Sequence, residues 1–104
     1  MYDNKTDFAS LLSHQFLTSS NWRTSQAKRF KHDDRNADAS QRLLDLASKI
    51  HISDDAWTRL APLVQDHAAC MSAVSEANRL VGFKERPADF AGWLETFCTI
   101  LTRH

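Results

Sequence analysis

Glycine and proline occur only twice each in this 104-residue chain, as Gly82, Gly92, Pro62 and Pro87. Tight turns, hairpins, bulges and phosphate-cradling loops draw on these residues, because glycine reaches positive φ without steric cost and proline pre-sets a turn. A chain so poor in them has little material for sheet connections or catalytic loops, and helix is what remains. The expected fold class is all-α: a compact irregular bundle of about five or six helices, without a sheet, forming a single helical domain over residues 1–104.

Size and charge narrow the function classes. A chain of this length buries roughly two-thirds of its unfolded surface, enough for one core. The apolar fraction of 42% and charged fraction of 25% are those of a folded soluble domain rather than a disordered one. Thirteen basic and thirteen acidic residues give a formal charge of zero. No global field therefore draws the protein to nucleic acid or an anionic membrane, and such binding would need a local patch. No apolar run approaches the ~20 residues of a membrane span, and Met1 to Phe8 is polar rather than signal-like, so the expected location is the cytoplasm. Cys70 and Cys98 are too few for a secreted disulfide framework. Reduced, buried thiols are expected, although one bridge between them is compatible with the sequence.

Apolar spacing places the helices. Phe8, Leu11, Leu12 and Phe16 predict a first helix from Thr6, its expected N-cap, to about Leu17. The polar cluster Thr18–Asn21 predicts a turn, since short hydroxyl and amide side chains compete for backbone hydrogen bonds. Trp22 to Arg35 is aperiodic and basic, and reads as a short helix or an ordered loop. Leu43, Leu46, Ala47 and Ile50, with Leu44 widening the stripe, predict a helix from Ala37. Ser53, followed by Asp54 and Asp55, is a strong helix start. The stripe of Trp57, Leu60, Val64, Ala68 and Met71 beyond it must break near Leu60, because Pro62 lacks an amide donor and clashes with the preceding turn. A second segment is expected to reach Val81, closed by Gly82 with Phe83 packing back. Pro87 suits the first turn of a last helix whose Phe90, Trp93, Leu94, Phe97, Ile100 and Leu101 make the most apolar face of the chain. Gly92 lies inside that helix at a cost of about 1 kcal/mol relative to alanine, which points to a close approach there.

Candidate chemistry is sparse. His67 and Cys70 stand three apart, a spacing that could place imidazole and thiolate on one metal, yet a structural zinc needs four ligands and no paired short-spacing motif supplies them. A core thiol beside a partly exposed histidine is the favoured reading. A Cys70 nucleophile with His67 as base lacks an oriented, open site with an oxyanion hole. Asp33 with Asp34 reads as a solvated turn, and Asp54 with Asp55 as capping. No catalytic residue, metal ligand or cofactor is therefore expected.

Trp22, Arg23, Lys28, Arg29, Phe30 and Lys31 interleave aromatic and basic groups, as surfaces that contact single strands do. Such a cluster is more common on ordinary partner-binding faces. Trp57 and Trp93 fall on core stripes, whereas Trp22 has no periodic context and is the candidate for an exposed aromatic anchor. Trp22, Arg23, Arg29, Phe30 and Lys31 are the expected partner-binding residues.

Two stretches resemble known families. Ile52-Ser53-Asp54-Asp55-Ala56-Trp57-Thr58-Arg59-Leu60-Ala61-Pro62-Leu63-Val64 resembles the opening segment of insertion-element transposases, but without that family's basic, glycine-rich continuation, so the likeness is one of helix capping. His67-Ala68-Ala69-Cys70-Met71-Ser72-Ala73-Val74, through Leu80-Val81-Gly82-Phe83, looks like the closing helix of TraM-type antiactivators of quorum sensing. That resemblance implies a compact, dimer-capable helical protein that inhibits a LuxR-type transcription factor by binding it. The expected function is a non-enzymatic regulator acting by protein-protein binding. The alternative is a nucleic-acid-binding helical domain that uses the basic segment 22–35.

Overall fold

Five helices follow one another along the chain in the computed structural model, which describes residues 4–32, 34–81 and 89–103: α1 Lys5–Arg29, α2 Arg35–Ser48, α3 Asp54–Leu60, α4 His67–Leu80 and α5 Phe90–Thr102. No strand occurs among the described residues, and the fold class is all-α.

Side-chain caps start four of the helices. Asn4 Oδ1 accepts from the Asp7 amide, Ser53 Oγ from Ala56, Asp66 Oδ1 from Ala69 and Asp89 Oδ1 from Gly92, each satisfying a first-turn donor that has no partner within its helix. The Ser53 start is as expected. The first cap, however, is Asn4 rather than Thr6, which lies within α1. The break at Pro62 also stands: α3 ends at Leu60, and the chain turns through residues 61–64 before Asp66 opens α4. The proposed roles of Gly82, Phe83 and Pro87 lie outside the described residues.

The largest departure from expectation is α1, which runs for 25 residues straight through the anticipated turn at Thr18–Asn21. Its polar residues are consumed by neighbouring helices instead of by their own backbone. Ser20 is 2% exposed, and its hydroxyl donates to the Ser40 carbonyl at 3.0 Å. Ser40 Oγ lies 2.9 Å from Ser20 Oγ and 2.7 Å from Thr24 Oγ1. Trp22 to Arg29, read as aperiodic, is the continuation of the same helix, and α2 begins at Arg35, two residues before Ala37.

Ser20 meets Ser40 and Arg23 meets Asn36, so α2 descends as α1 ascends and the two form an antiparallel pair. Small serines at the crossing let the backbones approach while satisfying their hydroxyls. Phe8, Leu12 and Phe16 then present one buried stripe of α1 to α5, where Trp93 is wholly buried. Trp93 stacks on Phe97 at a centroid separation of 5.4 Å and meets Phe16 edge-on at 4.8 Å. Phe8 links Phe97 to Trp57 at 6.0 and 5.6 Å. The last helix is thus a central core element, as its apolar face foretold.

The stripes differ in detail from expectation. Trp57 is half-buried at the edge of the core, Met71 is partly buried, and Leu44 and Ala68 are exposed. Leu60, Val64, Cys70, Ala73, Val74, Ala77 and Val81 complete one contiguous core with the aromatic residues.

Candidate functional site

The second half of α1 carries three of the five expected contact residues, Trp22, Arg23 and Arg29, while Phe30 caps the helix and Lys31 follows it. Trp22 is 58% exposed and Phe30 50%, the two most exposed large apolar side chains among the described residues. Their exposure is a consequence of register: Phe8, Leu12, Phe16 and Ser20 line the inward stripe of α1, and Trp22 points away from it.

Structure divides the five residues into two groups. In the first, the Arg23 guanidinium donates through Nη1 to Asn36 Oδ1 at 3.0 Å and through Nη2 to the Arg79 carbonyl at 2.7 Å. The same guanidinium lies 5.5 Å from the centroid of the Trp22 ring, within cation-π range. Arg23 thereby ties α1 to both α2 and α4 and braces the indole beside it. In the second group, Arg29 sits 5.6 Å from the Phe30 ring centroid, next to the exposed Lys31 and His32. These residues form the tip where α1 ends. Trp22 and Arg29, seven residues apart, share one face of α1 about 10 Å apart along its axis.

Trp22 and Arg23 also wall a groove of about 350 Å³ between α1 and α4, together with Thr18, Ser19, Ser75 and Arg79. Its floor is Asn78, 3% exposed, whose amide nitrogen donates to Ser19 Oγ at 3.0 Å and whose Oδ1 accepts from Trp93 Nε1 at 2.9 Å. The groove residues of α4 are not marked by spacing or charge in the sequence. The available signal was Asn78 itself, a polar residue within the stripe Ala73, Val74, Ala77 and Val81.

The other candidates come apart. His67 is exposed in the first turn of α4 whereas Cys70 is fully buried, so the two do not share an open face. Among the described residues no group of three or more His, Cys, Asp or Glu side chains converges on a possible metal position. Both cysteines are free thiols; Cys70 is buried as expected, but Cys98 is only partly so. Burial pushes the Cys70 thiol up to about 11 and also raises Cys98, the latter opposed by Arg59. At neutral pH both are held as thiols, the less nucleophilic form. Asp54 and Asp55 occupy the first turn of α3 as capping acids, and Asp54 also pairs with Lys5 at 2.6 Å. Asp34 is exposed, and Asp33 lies outside the described residues.

Compared with protein-family models, curated proteins and solved structures, the chain matches none. Among the described residues, no helix is long and apolar enough to cross a membrane.

Proposed function

We propose that this chain is a small, non-enzymatic regulatory protein that acts in the cytoplasm by binding another protein through the Trp22, Arg23, Arg29, Phe30 and Lys31 surface. The observation that carries this reading is Trp22: a large indole, 58% exposed, held in place by a guanidinium that is itself hydrogen-bonded to Asn36 and to the Arg79 backbone. An aromatic side chain fixed before binding loses little freedom on contact, and tryptophan and arginine are the residues most enriched where binding energy concentrates. The likeness of residues 67–83 to TraM-type antiactivators supplies the target class, a transcription factor held inactive by a dimer-capable helical inhibitor. Helix α4 spans His67–Leu80 of that stretch; Gly82 and Phe83 lie outside the described residues.

Affinity purification of the tagged protein from its native cell, followed by mass spectrometry, identifies the partner. Calorimetric titration of that partner with Trp22→Ala/Arg29→Ala should then show at least a tenfold loss of affinity with the melting temperature nearly unchanged. Unchanged affinity overturns the assignment.

A second reading, binding of a nucleic-acid backbone, is favoured by the absence of any ion pair to Lys28, Arg29 or Lys31 among the described residues. Phosphate contacts make affinity fall steeply with salt, so an electrophoretic shift at two ionic strengths separates the two readings.

A further inference from the structure

We infer that the groove between α1 and α4 receives a short acidic segment of the partner protein, with an apolar side chain laid against Trp22 and a carboxylate paired to Arg79. This rests on the protein-binding reading and specifies what is bound. Trp22 and Arg23 form one wall and Ser75 and Arg79 the other, so Arg79 stands on the wall opposite the exposed indole, while the Arg23 guanidinium is held by Asn36 and the Arg79 carbonyl. Among the described residues no aspartate or glutamate lines the groove, and Glu76, the acid nearest in sequence, lines the separate groove between α4 and α5. Arg79 forms no ion pair among the described residues. Arg29 adds a third cation on the Trp22 face of α1.

Guanidinium groups match carboxylates in planar, two-point geometry, and that complementarity sets the sign of the occupant. The floor solicits nothing further. Asn78 uses Oδ1 on Trp93 and Nδ2 on Ser19, and no buried side-chain polar atom among the described residues lacks a partner. Recognition therefore falls to the walls. A groove of about 350 Å³ holds one or two side chains, which suits a discrete carboxylate beside an apolar group better than the continuous row of phosphates on a nucleic-acid strand.

The test uses a short fluorescein-labelled peptide in which a phenylalanine and a leucine are flanked on both sides by glutamates, its glutamine counterpart, and a labelled oligothymidylate. Fluorescence anisotropy at low salt should show the glutamate peptide binding at least about tenfold more tightly than the glutamine peptide. Arg79→Glu and Ser75→Trp, both at exposed positions on α4, should each weaken it by about tenfold or more while leaving the melting temperature unchanged. Equal affinity for the two peptides, indifference to both substitutions, no peptide binding, or tighter binding of the oligothymidylate overturns the inference. The native partner separates this inference from the reading beneath it. A partner lost with Trp22→Ala/Arg29→Ala but retained by Ser75→Trp and Arg79→Glu leaves the protein-binding surface standing and removes the groove. One retained by all of them removes the surface itself.

Discussion

The indole nitrogen of Trp93 donates to the side-chain oxygen of Asn78 at 2.9 Å, both residues being buried between α4 and α5. Through its other end Asn78 reaches Ser19 on α1, so a single amide joins three helices and also floors the groove beside Trp22. The interior of the protein and its proposed contact surface therefore meet at one residue.

Asn78→Leu should cost about 2–4 kcal/mol, because it strands the buried Trp93 N–H and removes the bond to Ser19. Trp93→Phe combined with it should cost less than the sum of the two single changes, since the second removes the donor that the first left unpaired. By contrast Trp22→Ala, at a mostly exposed site, should cost less than about 1 kcal/mol. Urea unfolding midpoints at constant slope check all of these. A small loss for Asn78→Leu would show that the amide is not the link described.

The serine crossing between α1 and α2 makes a separate prediction. Ser40→Ala should lose about 1 kcal/mol, because it removes the hydroxyl that meets both Ser20 and Thr24, and Ser20→Ala should lose less, because Ser40 Oγ keeps the Ser20 carbonyl and Thr24. Ser40→Leu should lose about 1–3 kcal/mol by forcing the helices apart. Thermal melts followed by circular dichroism give the order, and a leucine variant as stable as the parent contradicts the close crossing.

Cys70 makes stability depend on alkaline pH. Burial lifts its thiol from an ordinary 9.0 to about 11, so between those values the folded chain keeps a proton that the unfolded chain has released. Stability contributed by the neutral thiol is full below pH 9 and is lost as pH rises through about 11, on the order of 2–3 kcal/mol at one pKa unit per ~1.4 kcal/mol. Cys98, also raised, acts in the same direction. Denaturant titrations between pH 8 and 11 should show a shallower decline for Cys70→Ala than for the parent, and parallel curves would contradict the shift. At pH 8 a thiol-specific disulfide reagent should modify partly exposed Cys98 in the native protein and Cys70 only on unfolding.

At the acidic end, the hydrogen bond and charge of Lys5 hold the Asp54 carboxyl below its ordinary 3.8. Its small contribution to stability is present above 3.8 and is lost as pH falls through the lowered value. Lys5→Met should move the Asp54 titration, followed by carboxyl NMR, back up towards 3.8. The melting temperature at neutral pH should hardly change, because the pair is exposed and water screens it. An unmoved titration would mean that the pair does not persist in solution.

Much of the helical plan is legible in the sequence, because local rules carry it. Ser53 announces α3, Pro62 separates it from α4, and the spacing of Phe90, Trp93, Phe97 and Leu101 marks the buried face of α5. The exposure of Trp22 is legible too, as an aromatic residue outside any stripe. Thr18–Asn21 misleads for a physical reason. Short hydroxyl and amide side chains favour turns only when their partners are local, and Ser19 and Ser20 find theirs on Asn78 and Ser40, 59 and 20 residues away. The groove is illegible on the same grounds: Trp22 and Arg79 are 57 positions apart, and no local pattern records that α4 lies beside α1.

By itself, then, the sequence determined that the chain is helical, where most helices begin or break, and which aromatic residue stands outside the core. These properties follow from backbone propensity, capping and periodicity, all decided within a few residues. Only the tertiary structure decided that α1 continues unbroken, that Asn78 joins three helices, and that Trp22 and Arg79 stand on opposite walls of a groove. Those outcomes depend on which distant groups satisfy a buried donor or acceptor, and that is settled by packing rather than by any stretch of chain.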